Sequence, residues 1–266
     1  MKSRLVQIIA DYAPGDLAFA EIIAQLARHS PPETRWHTTT VESFNTVAMG
    51  FLVAQLGLSP HHSDGMLIYA NCAPRQDSLQ AREDNEGEGL LYGLTSADIP
   101  VLVVNSGYSL SFLRNQLKEL WALDTPSAGS QFRSRDIFPE YVGRALKGDL
   151  TFRVKQLDPQ RVIPAPPEKR IGYVDSFGNL KTTIRQGDDL VNTLESGARV
   201  PITINGVTRV ARVVGGSFQV EQGDLAFAPG SSGHDRPFWE IFQRGGSAWQ
   251  TFGSPRAGAP VEFVLA

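Results

Sequence analysis

The sequence predicts an N-terminal three-layer α/β domain with a mainly parallel sheet, followed by a smaller C-terminal antiparallel β domain. Three observations carry this. Apolar strand-like runs alternate with helix-like stretches through the first half of the chain. Past residue 150 only strand and turn patterns remain. Between the two lies "RVIPAPPEKR", with four prolines close together when Pro159 is counted. The spacing predicts domains at 1–157 and 170–266, joined by a stiff linker at 158–169. With 266 residues and 41% hydrophobic content, the chain can fill both cores.

The first domain opens with "RLVQIIA", a buried strand. "GDLAFAEIIAQLARHS" follows as a helix with Leu17, Ala20, Ile23 and Leu26 on one face, ended by Pro31 and Pro32. "RWHTTTV" is β-branched and reads as a strand; "SFNTVAMGFLVAQLGL" is a second helix with Ser43 as its N-cap. "GMLIYANC", "LLYGLT" and "IPVLVVN" are further strands, and the acidic stretch at 73–89 is a surface excursion. "SLSFLRNQLKELWAL" has the spacing of an amphipathic helix, and "EYVGRAL" after Pro139 of a short one.

The second domain is a succession of strands: "IGYV", "LKTTI", "RVPITI", "TRVARVV", "LAFAP", "FWEIFQ" and "VEFV". The first two are joined by a Gly- and Asn-containing turn, a hairpin signal. That turn also carries Asp175 and Phe177, which reversal alone does not require.

Bulk properties exclude several classes. A net charge of −3 gives no field for nucleic acid or an anionic membrane. No apolar run approaches the roughly 18 residues that span a bilayer. The apolar start is broken by Asp11, Pro14 and Asp16, so it reads as a first strand rather than a signal peptide. A lone cysteine, Cys72, excludes an intrachain disulfide and fits the cytoplasm.

Four stretches can carry chemistry. In an open parallel sheet, ligands bind beyond the carboxyl ends of the strands, and three stretches sit there. "ADYAPGD" places Asp11 where a carboxylate can accept hydrogen bonds from a ribose diol, although an N-cap or turn role suits it too. "YANCAP" places Asn71 and Cys72, the latter reading as an inert buried thiol. "VNSGYSLS" places Asn105 and Ser106, which suit either a polar ligand or a cap. The fourth, "QFRSRDIFPEYV", holds Phe132, Arg133, Ser134, Arg135 and Asp136. His61, His62 and Asp64 share a loop but lack metal-ligand spacing, and no metal site is expected.

Taken in order, these motifs resemble the S-adenosylmethionine (SAM) hydroxide adenosyltransferase family, related to fluorinating and chlorinating enzymes that use the same substrate. "DYAPGD" resembles an Asp-Phe-Gly-type motif after the first strand, and "NSGYSLS" an Asp-Asn-Gly-Leu-Leu-Ser motif. "FRSRDIF" resembles Phe-His-Gly-Arg-Asp-Ile-Phe, and "DSFGNLKTTI" matches Asp-x-Phe-Gly-Asn-Leu-x-Thr-Asn-Ile most closely. "GSSGHD" is similar to Asn-Ser-x-Gly-Tyr.

The resemblance implies cleavage of SAM to adenosine and L-methionine by water or hydroxide, with no cofactor. It implies that Asp11 holds the ribose hydroxyls, while Asp175 and Asn179 reach the adenine and methionine portions and Phe177 shapes the pocket. Ser231 and Ser232 fall at the methionine or adenine end. Asn105, Ser106 and Phe132 complete the expected binding set. The family's ligand lies at subunit interfaces of a trimer, which implies a homotrimer here.

The catalytic positions depart from the pattern. An Asp position aligns with Asn71, a His position with Arg133, and an Arg position falls near Arg75 or Arg82. Ser134 matches the halogenating enzymes, where hydrolases carry glycine. The resemblance therefore leaves two alternatives beside hydrolysis: a SAM- or adenosine-binding protein without turnover, and a halide-using transferase.

Overall fold

The computed structural model describes residues 4–72, 87–126 and 129–263. The chain divides into two compact units, residues 1–165 and 166–266. The acidic excursion at 73–86, with Arg75 and Arg82, lies outside the described residues.

The first unit is built on a sheet of order β2-β1-β3-β5-β4-β6-β7. Its strands are β1 (Leu5–Ala10), β2 (Arg35–Thr40), β3 (Met66–Asn71), β4 (Leu90–Thr95), β5 (Pro100–Val104), β6 (Leu117–Leu123) and β7 (Arg153–Gln156). β2, β1, β3 and β5 form a parallel core, and β4, β6 and β7 extend it by antiparallel pairing. The switch follows from chain length. Residues 96–99 are too few to cross the sheet, so β4 and β5 must form a hairpin.

One sheet face carries Val6, Ile8, Leu67, Tyr69 and Leu102 against α1 (Leu17–His29). Helices α3 (Arg133–Asp136) and α4 (Phe138–Leu146) pack with α1 on that side. Strand alternation turns Ile9 and Ile68 to the opposite face, towards α2 (Thr46–Gly57). Helices on both faces make the three layers. In α2 nearly every residue is buried, and Gly50 lies where an added Cβ would collide with the Tyr108 carbonyl oxygen. That close approach offsets the roughly 1 kcal/mol that a helix-interior glycine costs.

Three sequence expectations change here. The segment 109–123 is a 3-10 turn at Ser111–Leu113 followed by strand β6, not an amphipathic helix. Its leucine spacing fits a helix, but pairing with both β4 and β7 outweighs local preference. The cap of α2 is Asn45, whose side chain accepts from Ala48 N at 3.0 Å, rather than Ser43. The buried stripe of α1 is Phe19, Ile22 and Leu26, and Leu17 is 69% exposed.

Beyond β7, Asp158 caps a single turn, α5 (Pro159–Val162), with Pro159 at its first position. Arg114 donates to the Gln160 carbonyl at 2.6 Å, which holds this turn on the first unit.

The second unit is a sheet of order β14-β10-β11-β12-β13-β9-β8. Its strands are β8 (Ile171–Val174), β9 (Leu180–Arg185), β10 (Arg199–Ile204), β11 (Val207–Val213), β12 (Leu225–Pro229), β13 (Phe238–Gln243) and β14 (Val261–Phe263). All pairs are antiparallel except β11 with β12. Ile171 N donates to Ala259 O at 2.9 Å and Val261 N to Lys169 O at 2.8 Å. The sheet therefore curls until the chain at its two edges meets, which leaves less edge open to pairing. Alternation fills the interior: Val200, Ile202 and Ile204 are buried, while Arg199, Pro201 and Thr203 are not.

Candidate functional site

Parallel β1, β3 and β5 deliver the residues that follow them to one edge of the first unit. The register pairs Ala10 with Asn71, so Asp11 and Cys72 leave the sheet side by side. Asp11 N donates to Asn71 O at 3.3 Å. The Asp11 carboxylate accepts from Phe44 N at 3.0 Å. Phe44 has φ of 63°, an unusual conformation for a bulky residue. The Cys72 thiol is hydrogen-bonded to Asp11, and burial first, then that carboxylate's charge, hold it protonated well above the ordinary thiol range.

Beside Asp11 runs a chain of polar groups. Asn71 Nδ2 donates to Tyr12 Oη at 2.7 Å, and Tyr12 Oη lies 2.8 Å from Ser134 Oγ. Tyr69 Oη donates to the Ser134 carbonyl at 3.1 Å. Asn71 and Ser134 are both buried. Tyr12 is braced edge-on by Phe19 and by Phe132, at centroid distances of 5.4 and 6.1 Å. Reading the sequence singles out neither Tyr12 nor Tyr69; the only signal is that Tyr12 follows Asp11 at a strand end.

The other first-unit candidates are placed as follows. Asn105 is exposed, with its backbone N bonded to Gly89 O at 2.9 Å. Ser106 Oγ is buried and donates to Cys72 O at 2.5 Å. Arg133 is buried, with Nη1 donating to Glu88 O at 2.7 Å and Nη2 to Pro126 O. Its guanidinium stacks over Phe138 at 5.1 Å, and Nε has no hydrogen-bond partner among the described residues. Burial weakens its hold on the proton, but a guanidinium in a protein is not a base. Arg135 instead pairs with Asp136 at 2.6 Å and Glu21 at 3.2 Å.

In the second unit the β8–β9 hairpin answers part of the question its sequence raises. Asp175 Oδ1 accepts from Phe177 N and Asn179 N, each at 3.0 Å, and Oδ2 accepts from Asn179 Nδ2 at 3.0 Å. Asp175 thus organises the turn. Gly178 takes φ of 77° and presses against Ser247, a position where a side chain would clash. Phe177 at the tip is 77% exposed.

Lys181 Nζ lies 2.8 Å from Glu240 and 3.7 Å from Asp175. Gly230 is packed directly on the Glu240 carboxylate, so the 230–232 segment and the 175–179 turn meet through one buried ion pair. Ser231 is exposed and Ser232 buried, its carbonyl accepting from Phe238 N at 2.8 Å. Lys181 and Glu240 do not stand out in the sequence, where a lysine within a strand reads as solvent-facing.

Among the described residues no cluster of three or more His, Cys, Asp or Glu could hold a metal ion. Among them, too, no helix is long and apolar enough to cross a membrane.

Comparison with known proteins adds the following. Residues 169–261 match the family model of the SAM hydroxide adenosyltransferase C-terminal domain. No curated protein matches the chain. Two similar solved structures are an uncharacterized conserved protein from Thermotoga maritima and a conserved hypothetical protein from Thermus thermophilus. The first is 18% identical with a TM-score of 0.74, covering 97% of this chain and 100% of its own. The second is 16% identical with a TM-score of 0.68, covering 98% and 100%. At such identities they establish a shared fold and nothing more. Through residues 169–261, which include the Asp175–Asn179 turn, the second unit is similar to the C-terminal domain of the SAM hydroxide adenosyltransferase family.

Proposed function

We propose that the protein binds SAM and cleaves it to adenosine and L-methionine, by attack of water or hydroxide at the ribose C5′ carbon. The observation that carries the reading is the family match across the hairpin that holds Asp175 and Asn179. Asp175 takes one Nδ2 hydrogen of Asn179, so the remaining amide edge has a fixed orientation. An amide held this way suits the paired donor and acceptor on the edge of adenine. Asp11, at the carboxyl end of β1, suits the ribose diol.

The chemistry asks little of the protein. The nucleophile's oxygen forms a bond to C5′ while the C5′–S bond breaks, its electron pair leaving on sulfur as a neutral thioether. A proton passes to solvent. The sulfonium is already a good leaving group, so alignment and desolvation of the nucleophile supply much of the rate. No cofactor enters the scheme. Asn71, Arg133 and Ser134 are the proposed groups at the nucleophile, and Ser106, Phe132, Phe177, Ser231 and Ser232 line the ligand. The reading includes a cytoplasmic homotrimer with ligands at subunit interfaces.

A second reading, binding without turnover, is favoured by Asn71 and Arg133 standing where an acid and a base would act. Incubation with SAM, with and without chloride, followed by product separation tests both. Free adenosine supports hydrolysis, intact bound SAM supports binding alone, and a 5′-chlorinated nucleoside makes the protein a halide transferase. Absence of binding to any adenosine compound in calorimetry overturns the proposal.

A further inference from the structure

We propose that Arg185, with Arg236 beside it, forms a binding site for the carboxylate of a small molecule, where β9 meets β13 in the second unit. The site lies outside the SAM-cleaving scheme above and stands or falls separately from it.

The starting point is a cation that the fold holds in place without pairing it. The register sets Arg185, the last residue of β9, opposite Phe238, the first of β13. The guanidinium carbon lies over the Phe238 ring, 3.8 Å from its centroid. Stacking at this distance fixes the plane of the group and takes one of its faces out of water. Withdrawing a charge from water is costly unless hydrogen bonds or an opposite charge offset it. Here the offset is incomplete. Nη1 donates to the Arg236 carbonyl at 3.1 Å. Among the described residues Nε and Nη2 find no acceptor, and both stay within reach of solvent.

The acid beside them is already engaged. Asp188 accepts from the Arg185 backbone N at 2.7 Å with one oxygen and from Arg236 Nη2 at 2.6 Å with the other. One carboxylate thus faces two guanidiniums, and one positive charge is left over. Burial first, then the Arg236 charge, bring the Arg185 pKa down to about 10, so the group is still a cation at neutral pH.

The shape of the open edge names the ligand. Nε and Nη2 present two parallel N–H bonds in the plane of the guanidinium, a fork that matches the two oxygens of a carboxylate. The ring beneath keeps that plane from turning. A single negative charge neutralises the excess. Chloride carries one charge but no second oxygen for the fork, and sulfate carries one charge too many.

The test is NMR on the full chain with isotope-labelled arginine. The Arg185 Nε–H signal, displaced by the Phe238 ring current, is assigned by its loss in Arg185→Lys. Sodium acetate then replaces sodium chloride in mildly acidic buffer, so that ionic strength is constant. The expected result is a saturable shift of that signal, half complete at roughly 1–10 mM acetate. Arg236→Gln should raise that concentration by about fivefold or more, since it removes the second cation and frees Asp188 to pair with Arg185. A shift that stays linear in acetate overturns the proposal. So does sulfate binding as tightly as acetate at equal ionic strength, or an Arg236→Gln protein that binds acetate as tightly as the wild type. Should that variant not fold, the wild-type titrations decide alone.

Discussion

Asn179 Nδ2 donates to Asp175 Oδ2 at 3.0 Å, across a turn whose backbone is already held by the other oxygen of the same carboxylate. One side chain therefore sets both the shape of the hairpin and the direction of the amide. Asp175→Ala removes the acceptor for three N–H groups. A charge-assisted bond contributes roughly 1.5–3 kcal/mol, and these share one partly exposed carboxylate, so a loss of about 2 kcal/mol is expected. Urea unfolding measures it. Asn179→Ala leaves the two backbone bonds in place, so it should unfold near the wild-type midpoint while adenosine binds more weakly.

Lys181 is only 9% exposed and stands between Glu240 and Asp175. Removing one partner of a buried pair strands the other charge. Lys181→Met should therefore destabilise the second unit by roughly 3 kcal/mol. Adding Glu240→Leu should recover much of that loss, because the stranded carboxylate is gone. A double variant as unstable as Lys181→Met in urea would show that Glu240 is not the group left unpaired.

The strands were legible because their signal is local. Ile202 and Ile204 alternate with polar neighbours, and β1 and β3 are short apolar runs at the right length. The strand β6 was not, because Leu110, Leu113, Leu117 and Leu120 recur at helical spacing. Only the partners β4 and β7, distant in sequence, decide the outcome. The site shows the same division. Asp11 and Asn71 could be placed at strand ends from the sequence, since a parallel sheet brings such ends together. Tyr12 could not, because the Ser134 hydroxyl that it meets lies 122 residues away. Tyr12, Asn71 and Ser134 are also positions where the sequence departs from the motifs it resembles. In the sequence they look like separate losses; in the structure they are one hydrogen-bonded chain.

Cys72 is 1% exposed, and both burial and the Asp11 carboxylate oppose its thiolate. The thiolate is the reactive form. The native protein at neutral pH should therefore react with a thiol reagent only over hours, and completely within minutes in denaturant. Absorbance of the released chromophore follows both. Rapid labelling of the folded protein would mean that Cys72 is open to solvent at the edge of the sheet.

Acid should weaken the first unit through Asp149 and Asp136. The Arg144 guanidinium, with Thr151, holds the Asp149 carboxyl well below the ordinary range. Arg135 and Ser130 lower that of Asp136. A carboxylate with a depressed folded-state pKa contributes its stability above the unfolded value, near 4, and loses it as pH falls towards the folded value. Thermal midpoints should therefore decline below about pH 4. Asp149→Asn should flatten that decline, since the variant has no proton to take up there. A variant whose midpoint falls as steeply as the wild type would assign the acid sensitivity to other groups.

Asp11 offers the sharpest test of the site, because its proposed partner can be removed from the ligand as well as from the protein. Its carboxylate already accepts from Phe44 N, and the Cys72 thiol is bonded to it. If it also receives the ribose hydroxyls, Asp11→Ala should weaken adenosine binding by about tenfold or more, in line with roughly 1.5–3 kcal/mol for a charged hydrogen bond. The same substitution should leave 2′,3′-dideoxyadenosine, which has no diol, almost unaffected. Wild-type protein should in turn prefer adenosine to the dideoxy compound by a similar factor, closing the cycle. Equal losses for both ligands would mean that Asp11 acts by holding Phe44 and the 42–45 segment in place. In that case the affinity lost would be that of a disturbed loop, and the ribose would have to be bound elsewhere.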